Sequence, residues 1–303
     1  MSIKVIYDAF ITNRSAYCST ATLVTYKNHL SIFFMYLESR YSTPVDILTF
    51  SDIGSDDIFN GFVIYLRHVK LCRNVTVRSY CRTLKAFLRY SYENNYCSDY
   101  LKGIKLPPDD SKPKIVLYAD DVENLDSLFD RTTLKGIRNY CIFHLMLDCG
   151  LRSQEVRNLE CRHIDRQRNV LQIINSKGSK NRITLIPDFV ICNIDDYLSR
   201  CSRNTGYVFH SLTSDTPLSA DSITDLFARL KKDSGISRLH AHLLRHTFAT
   251  SYLVGGGNLE FLRVFLGHSD YNVTRGYSQL AAECKMLGVN VYRLDSIFFT
   301  KGY

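Results

Sequence analysis

Residues 240–253 read HAHLLRHTFATSYL and put three histidines and one arginine within seven positions at the head of an apolar segment. If the segment is a helix, His242 and Arg245 share a face, and His246 lies one turn beyond His242. The pattern fits a metal site, a phosphate clamp or the polar start of a core helix. A zinc-binding helix with this histidine spacing needs glutamate directly after the first histidine, where Leu243 stands. Arg245 would also repel a divalent cation, and we therefore expect no metal here.

The composition indicates a globular protein in a reducing compartment. A chain of 303 residues, 45% hydrophobic and 22% charged, is long enough for two domains with ordinary cores. It contains no run of eighteen apolar residues and no signal-peptide pattern, and we expect a soluble, cytoplasmic protein without membrane contact. The 10 cysteines are scattered and form no C-x-x-C pair, which is typical of reduced structural thiols.

The positive charge is concentrated in one region. The net charge is +8, and residues 61–106 hold nine Lys or Arg against two acids. Within them, residues 74–95 predict a helix with one apolar stripe and one basic stripe. A basic stripe also occurs on ordinary solvated helix faces, but four bases without an intervening acid favour contact with a DNA backbone. The basic stripe consists of Arg78, Arg82, Lys85 and Arg89.

One proline-rich stretch divides the chain. Residues 105–114 read KLPPDDSKPK and contain three of the six prolines, which stop helices and favour extended chain. We predict a helical domain over residues 1–106, a linker over 107–114 and a second domain over 115–303. In the first domain, helical periodicity begins near Thr20, a possible cap, and again after Ser55 and Asn74.

The second domain reads as helices with a small β-sheet. Residues 169–187 predict a β-hairpin, because two runs rich in Val, Ile and Leu flank a polar turn. Residues 206–211 (GYVFHS) predict a further strand, and the glycines at 255–257 end the helix that starts at the opening stretch. The fold class is therefore mainly α with a small β-sheet.

Five short motifs follow one another along the second domain. They are GLRSQEVRNL (150–159), SKGSKNRITLIP (176–187), HLLRHTFATSYL (242–253), FLGHS (265–269) and GY (276–277). Together they resemble the tyrosine recombinase (phage integrase) family in its Xer-like two-domain form. The resemblance covers residues 115–290 as an α+β catalytic domain. It extends more weakly to the N-terminal helices, which look like the family's SAM-like core-binding domain. The chain begins almost at once with these helices, and we expect no arm-binding domain before them.

The resemblance implies a set of catalytic residues. Arg152 and Arg245 match the family's phosphate clamp, His242 matches a histidine that bonds the phosphate and is a candidate acceptor of the tyrosine proton, and His268 matches a further phosphate donor. Lys177 matches the general acid for the departing 5′ oxygen. Tyr277 matches the nucleophile, and Glu155 matches an acidic residue that supports the arginines from behind.

These residue types suit the chemistry of a phosphodiester. Two planar guanidinium groups can pair with the non-bridging oxygens and neutralise the transition state. A tyrosine hydroxyl has a pKa of about 10 and needs a base or a strong positive field. The covalent 3′-phosphotyrosine stores the energy of the broken bond, and we therefore expect no cofactor, neither ATP nor a metal.

Several neighbours compete for these roles. Lys180 lies in the same turn as Lys177, and Tyr271 also follows His268. The family's spacing favours Lys177 and Tyr277, which assigns Tyr271 to packing. His240 and His246 are interpreted as structural neighbours. Gly276 stands directly before Tyr277 and would let the nucleophile's segment move.

The resemblance implies a site-specific recombinase that acts on double-stranded DNA as a homo-tetramer on paired sites. Integration, excision and resolution of a mobile element or replicon all remain open. A type IB topoisomerase-like enzyme and a non-catalytic DNA-binding protein on the same fold are the alternatives. The apolar tail (Ile297, Phe298, Phe299) either docks on a neighbouring subunit or packs within its own chain.

Overall fold

The computed structural model describes residues 1–54, 57–102, 104–108, 115–174, 181–210, 216–267 and 271–299, except for the side chains of residues 272 and 273. The chain divides into two compact units, Met1–Pro113 and Lys114–Tyr303. The predicted linker spans this division, and its residues 109–114 lie outside the described residues.

The described part of the first unit is helical, as predicted. It contains α1 (Ile3–Ser15), α2 (Thr20–Tyr41), α3 (Phe50–Ile53), α4 (Ile58–His68) and α5 (Asn74–Glu93). The sequence did not indicate α1 or the single turn α3. The cap predicted at Thr20 is wrong by one residue, because the side chain of Ser19 accepts the hydrogen bond from the backbone N–H of Thr22.

Helix α5 separates an apolar face from the basic stripe. Its apolar face is buried in a core of aromatic rings, where Phe33 and Phe62 meet edge to face at 5.2 Å. On the basic stripe, Arg82 and Arg89 are exposed and Lys85 is half-buried. Arg78 donates a hydrogen bond to the carbonyl oxygen of Pro107 at 2.7 Å. Arg82 and Arg89 are therefore the members of the stripe most open to a partner.

The second unit surrounds a small sheet with helices. Its helices are α6 (Ala119–Ser127), α7 (Leu134–Leu147), α8 (Ser153–Arg157), α9 (Asp188–Arg200), α10 (Ala220–Ser234), α11 (Ala241–Val254), α12 (Leu259–Leu266) and α13 (Tyr271–Met286). Its strands are β1 (Ile164–Asp165), β2 (Val170–Ile173) and β3 (Arg182–Leu185), antiparallel in the order β1-β2-β3.

The predicted hairpin is confirmed as β2 and β3, which pair from Val170 opposite Leu185 to Ile173 opposite Arg182. Its turn, residues 175–180, lies outside the described residues. The strand predicted over residues 206–211 is wrong over 206–210, and residue 211 lies outside the described residues. Tyr207 and His210 each form one isolated β-bridge, and they are not part of a continuous strand.

Helices α7 and α11 form the centre of this unit. Ten residues of α7 and nine of α11 are buried, and α11 packs against α7, α12 and α13. This packing fixes the position of α11, which begins at the motif quoted first. Every helix in the described part of the chain is too short or too polar to span a lipid bilayer.

Candidate active site

Arg152 is fixed by the turn that starts α8. Its backbone N–H donates to Oε2 of Glu155 at 2.7 Å, and its guanidinium Nη1 donates to Oε1 of the same carboxylate at 2.9 Å. Glu155 thus caps the helix and orients the arginine at the same time. The Arg152 side chain remains 41% exposed. Its guanidinium is therefore both positioned and accessible.

Arg245 lies beneath, fully buried on α11. It donates from Nη1 to the carbonyl oxygen of Gly150 and from Nη2 to that of Leu266, both at 2.6 Å. Gly150 adopts a left-handed φ of +68°, and a Cβ there would lie 2.7 Å from the ring of Phe248. One guanidinium therefore joins the loop before Arg152 to the end of α12.

A third arginine enters the site from the sheet. Arg182 on β3 is buried and donates from Nη2 to Oε2 of Glu155 at 2.9 Å. Sequence reasoning missed it because alternation in this apolar strand suggests that isoleucine faces inward. In the structure Arg182 and Thr184 face inward, and Ile183 is 53% exposed. A strand that exposes isoleucine and buries arginine is a signal for a site, but it is visible only with the structure.

The three arginines share one carboxylate. Glu155 is in contact with Arg152 and Arg182 at 2.9 Å and lies 3.9 Å from Arg245. Burial, reinforced by the charge of Arg152, lowers the pKa of Arg245 to about 9, and burial also lowers the pKa of Arg182. Both remain protonated at pH 7, so the cluster carries more positive than negative charge. An anion placed beside these groups would be stabilised.

Tyr277 on α13 lies next to this cluster and is 1% exposed. Its hydroxyl is hydrogen-bonded to Nδ1 of His246 at 2.6 Å. Burial raises the pKa of Tyr277, while the charges of Arg245 and Arg152 act in the opposite direction. The His242 ring meets that of His246 edge to face at 4.4 Å between centroids. The interpretation of His246 as a mere neighbour therefore missed its contact with the tyrosine.

The structure brings together four of the six predicted catalytic residues, namely Arg152, His242, Arg245 and Tyr277. Lys177, its competitor Lys180 and His268 lie outside the described residues. The packing role predicted for Tyr271 is wrong, because this residue opens α13 and is 52% exposed.

The side chain of His240 contacts the backbone and not the cluster. Its Nδ1 forms a hydrogen bond with the carbonyl oxygen of Arg238 at 2.8 Å. Over the described ranges, no group of three His, Cys, Asp or Glu side chains is arranged to hold a metal ion. Within the histidine-rich motif, His246 contacts Tyr277 and Arg245 lies 3.9 Å from Glu155.

The C-terminal tail packs on α11 of its own chain. Phe298 meets Phe248 edge to face at 5.4 Å, and Phe299 stacks on Tyr252 at 5.9 Å. Phe298 belongs to the same buried cluster as Tyr277. The tail therefore contributes to the environment that buries the tyrosine.

Comparison with known proteins identifies the family. The phage integrase family matches residues 116–283, and the phage integrase SAM-like domain matches residues 2–103. The tyrosine recombinase XerD of Listeria innocua is 28% identical over 272 residues, covering 86% of this chain and 89% of the relative. The tyrosine recombinase XerC of Staphylococcus aureus is 25% identical over 273 residues, covering 87% of each chain.

Solved structures share the fold. The Tn1549 transposon integrase in complex with transposon right end DNA superposes with a TM-score of 0.73 at 18% identity, covering 95% of this chain and 100% of that one. The XerA recombinase gives a TM-score of 0.52 at 21% identity, covering 98% and 99%. The chain belongs to the phage integrase family and is a tyrosine recombinase, an enzyme of site-specific DNA recombination that breaks and rejoins DNA strands.

Proposed function

We propose that the arginine cluster binds the scissile phosphodiester of a recombination site and that Tyr277 attacks its phosphorus. The attack forms a 3′-phosphotyrosine and releases a 5′ hydroxyl. The observation that carries this proposal is the position of Tyr277, whose hydroxyl lies in the field of two arginines at a cluster with surplus positive charge. Such a cluster stabilises the negative charge that develops on the phosphate oxygens.

The exposure of each arginine indicates its role. Arg152, which is partly exposed, pairs with a non-bridging oxygen, and buried Arg245 supplies charge from below and holds the loops on either side. Glu155 keeps both guanidinium groups in place, assisted by Arg182. A bidentate arginine contact with phosphate gives direction as well as charge.

The remaining roles rest on the family resemblance. His242, exposed at the start of α11, and His268 donate hydrogen bonds to the phosphate. Lys177, from the turn between β2 and β3, protonates the departing 5′ oxygen. The described strands support this, because they hold the two ends of that turn beside Arg182.

Recombination requires that a second DNA strand take over the phosphotyrosine. We propose a homo-tetramer on two paired sites of double-stranded DNA, at which the enzyme integrates, excises or resolves a mobile element or replicon in the cytoplasm. Solved relatives include a lambda integrase dimer bound to a core site and the XerH recombinase bound to its difH substrate, which supports a DNA duplex as the partner. Arg82 and Arg89 on α5 contact the backbone of that duplex.

The buried state of Tyr277 implies a rearrangement before cleavage. A tyrosine that is 1% exposed cannot bring its hydroxyl to a phosphorus atom until the surrounding cluster opens. The tail is part of that cluster, and its transfer from α11 to a neighbouring subunit would loosen it. Tetramer assembly would then expose the nucleophile.

The test uses a nicked duplex that carries the recombination site, selected beforehand from a pool of duplexes by binding. After cleavage, the short fragment that carries the 5′ hydroxyl diffuses away. Its loss prevents rejoining and traps the covalent complex. We expect an adduct that disappears in Tyr277→Phe while binding is retained. A wild-type protein that binds well and yields no adduct would contradict the proposal. Joining of two sites, as opposed to relaxation of a supercoiled plasmid alone, separates a recombinase from a topoisomerase-like enzyme.

A further inference from the structure

The attack by Tyr277 requires a group that takes its hydroxyl proton. Burial raises the pKa of this hydroxyl, and at pH 7 it is therefore neutral despite the opposing charges of Arg245 and Arg152. A neutral phenol is a weak nucleophile, and a base within hydrogen-bond reach would activate it.

The structure places an imidazole nitrogen at this position. Nδ1 of His246 lies 2.6 Å from the hydroxyl oxygen of Tyr277, well inside the range for proton transfer. The two rings are 5.4 Å apart between centroids, and His246 is half-buried. We infer that His246 is the general base that takes the proton from Tyr277 and later returns it, and that the hydrogen bond between the two side chains is retained when the surrounding cluster opens; this rests on the proposed role of Tyr277 as nucleophile.

The geometry indicates different roles for two histidines. His242 lies one turn earlier on α11, exposed, with its ring at 71° to that of His246. An exposed histidine at a helix start is placed to donate to a phosphate, whereas His246 faces the tyrosine. The edge-to-face contact at 4.4 Å also fixes the His246 ring in its orientation toward Tyr277.

The protons balance over both half-reactions. During cleavage, neutral His246 carries its proton on Nε2 and accepts the Tyr277 proton on Nδ1 as the bond from oxygen to phosphorus forms. The bond from phosphorus to the 5′ oxygen breaks, and that oxygen takes a proton from the general acid, proposed as Lys177. During rejoining, the incoming 5′ hydroxyl gives its proton to the lysine and attacks phosphorus. The tyrosine oxygen leaves and recovers its proton from Nδ1.

The proposed role of His246 as a base predicts a pH dependence of cleavage. His242 faces His246 from the same helix, Tyr277 from α13, and Arg245 and Arg152 lie beyond the tyrosine hydroxyl. A general base must be unprotonated before the reaction starts. Cleavage should therefore slow at low pH, where His246 is already protonated before the reaction starts.

The experiment measures single-turnover adduct formation on the nicked duplex between pH 5 and 9. We expect His246→Ala to slow it by about 10²-fold or more, and added imidazole to restore part of the rate. His246→Asn keeps an acceptor near the Nδ1 position but cannot carry the proton, so it should be as slow as His246→Ala and lose the decline at low pH. His242→Ala, the matched variant one turn away, should keep that decline. Thermal melting checks that each variant is folded.

A duplex with a bridging 5′ sulfur separates base from acid, because a thiolate leaves without a proton. It should restore cleavage by Lys177→Ala and leave His246→Ala slow. An Asn variant as fast as wild type, or a sulfur substrate that restores His246→Ala, would overturn the assignment. If the wild-type protein forms no Tyr277-dependent adduct, the proposed function itself fails. An adduct that forms with unchanged rate and pH profile in the His246 variants overturns only the base.

Discussion

Glu155 and Arg182 form a buried ion pair, with 2.9 Å between Oε2 and Nη2 and side chains only 5% and 3% exposed. The pair connects β3, the strand that follows the hairpin turn, to α8, whose N-cap is Arg152. Because the same carboxylate also orients Arg152 and lies near Arg245, its charge decides whether three arginines can be held close together.

Glu155→Gln should therefore destabilise the protein strongly. It removes the shared negative charge from the arginines, and we expect a loss on the order of 3 kcal/mol in the free energy of unfolding. Urea denaturation measures this loss. The matched control is Glu160→Gln, whose partner Arg162 is 76% exposed and whose loss should cost less than about 1 kcal/mol. Equal costs for both variants would show that Glu155 does not organise the cluster.

A second prediction concerns the glycine that lets Arg245 reach its acceptor. Gly150 has φ +68°, and a Cβ there would lie 2.7 Å from the Phe248 ring. Gly150→Ala should cost more than about 2 kcal/mol, because backbone strain and overpacking add. Gly235→Ala is the control, since its φ is +72° and nothing lies within 4 Å of the added Cβ. It should cost about 1 to 2 kcal/mol from strain alone, as measured by urea denaturation. If the two variants lose the same free energy of unfolding, the contact of the added Cβ with Phe248 does not contribute to the destabilisation.

A third prediction follows from a buried histidine outside the site. His144 lies between Asp148, at 2.7 Å, and Asp126, at 2.9 Å. Burial alone would lower the pKa of His144, but hydrogen bonds to Asp126 and Asp148 outweigh it and raise the pKa to about 9. A folded-state pKa above the unfolded value of about 6.5 contributes stability that is complete below pH 6.5 and is lost as pH rises through 9.

The difference in unfolding free energy between wild type and His144→Gln should thus be largest near pH 6, on the order of 2 to 3 kcal/mol, and small at pH 10. Urea denaturation at a series of pH values measures it. His240→Gln replaces an exposed histidine and serves as the matched control for this substitution. A difference that grows with pH would contradict the ion pair.

A fourth prediction tests the basic stripe. Arg82→Ala combined with Arg89→Ala should weaken DNA binding and reduce the slope of log K against log salt by about one per lost phosphate contact. These two positions are preferred over Arg78, whose removal also breaks a hydrogen bond to Pro107. The control is Lys4→Ala, which removes a partly exposed lysine of the same unit that is paired with Asp8. A slope that the double variant leaves unchanged removes the stripe from the DNA interface.

Much of this architecture could be predicted from the sequence because the signals are local. Helical periodicity, a polar turn between two apolar runs and glycines at helix ends indicate elements without knowledge of their neighbours. The same local logic failed for residues 206–211, whose β-branched and aromatic content is strand-like but whose neighbours pair with it at isolated positions. Pairing partners are a property of the tertiary structure.

The site residues show the same difference between local signals and tertiary contacts. Arg152, Arg245 and Tyr277 stand in motifs whose order indicates their roles, but Arg182 and His246 acquire theirs from contacts across the fold. Arg182 reaches Glu155 over 27 positions, and His246 reaches Tyr277 over 31. Sequence spacing carries no information on such contacts, which depend on how β3 and α13 pack beside α8 and α11.

Covalent attachment of Tyr277 to DNA can be measured directly. Proteolysis of the trapped complex, followed by mass spectrometry of the peptide that retains the 3′ nucleotide, identifies the attachment residue directly. We expect the nucleotide on Tyr277, with no adduct in Tyr277→Phe. Attachment to Tyr271, which is exposed six residues earlier on the same helix, or an adduct that persists in Tyr277→Phe, would contradict it.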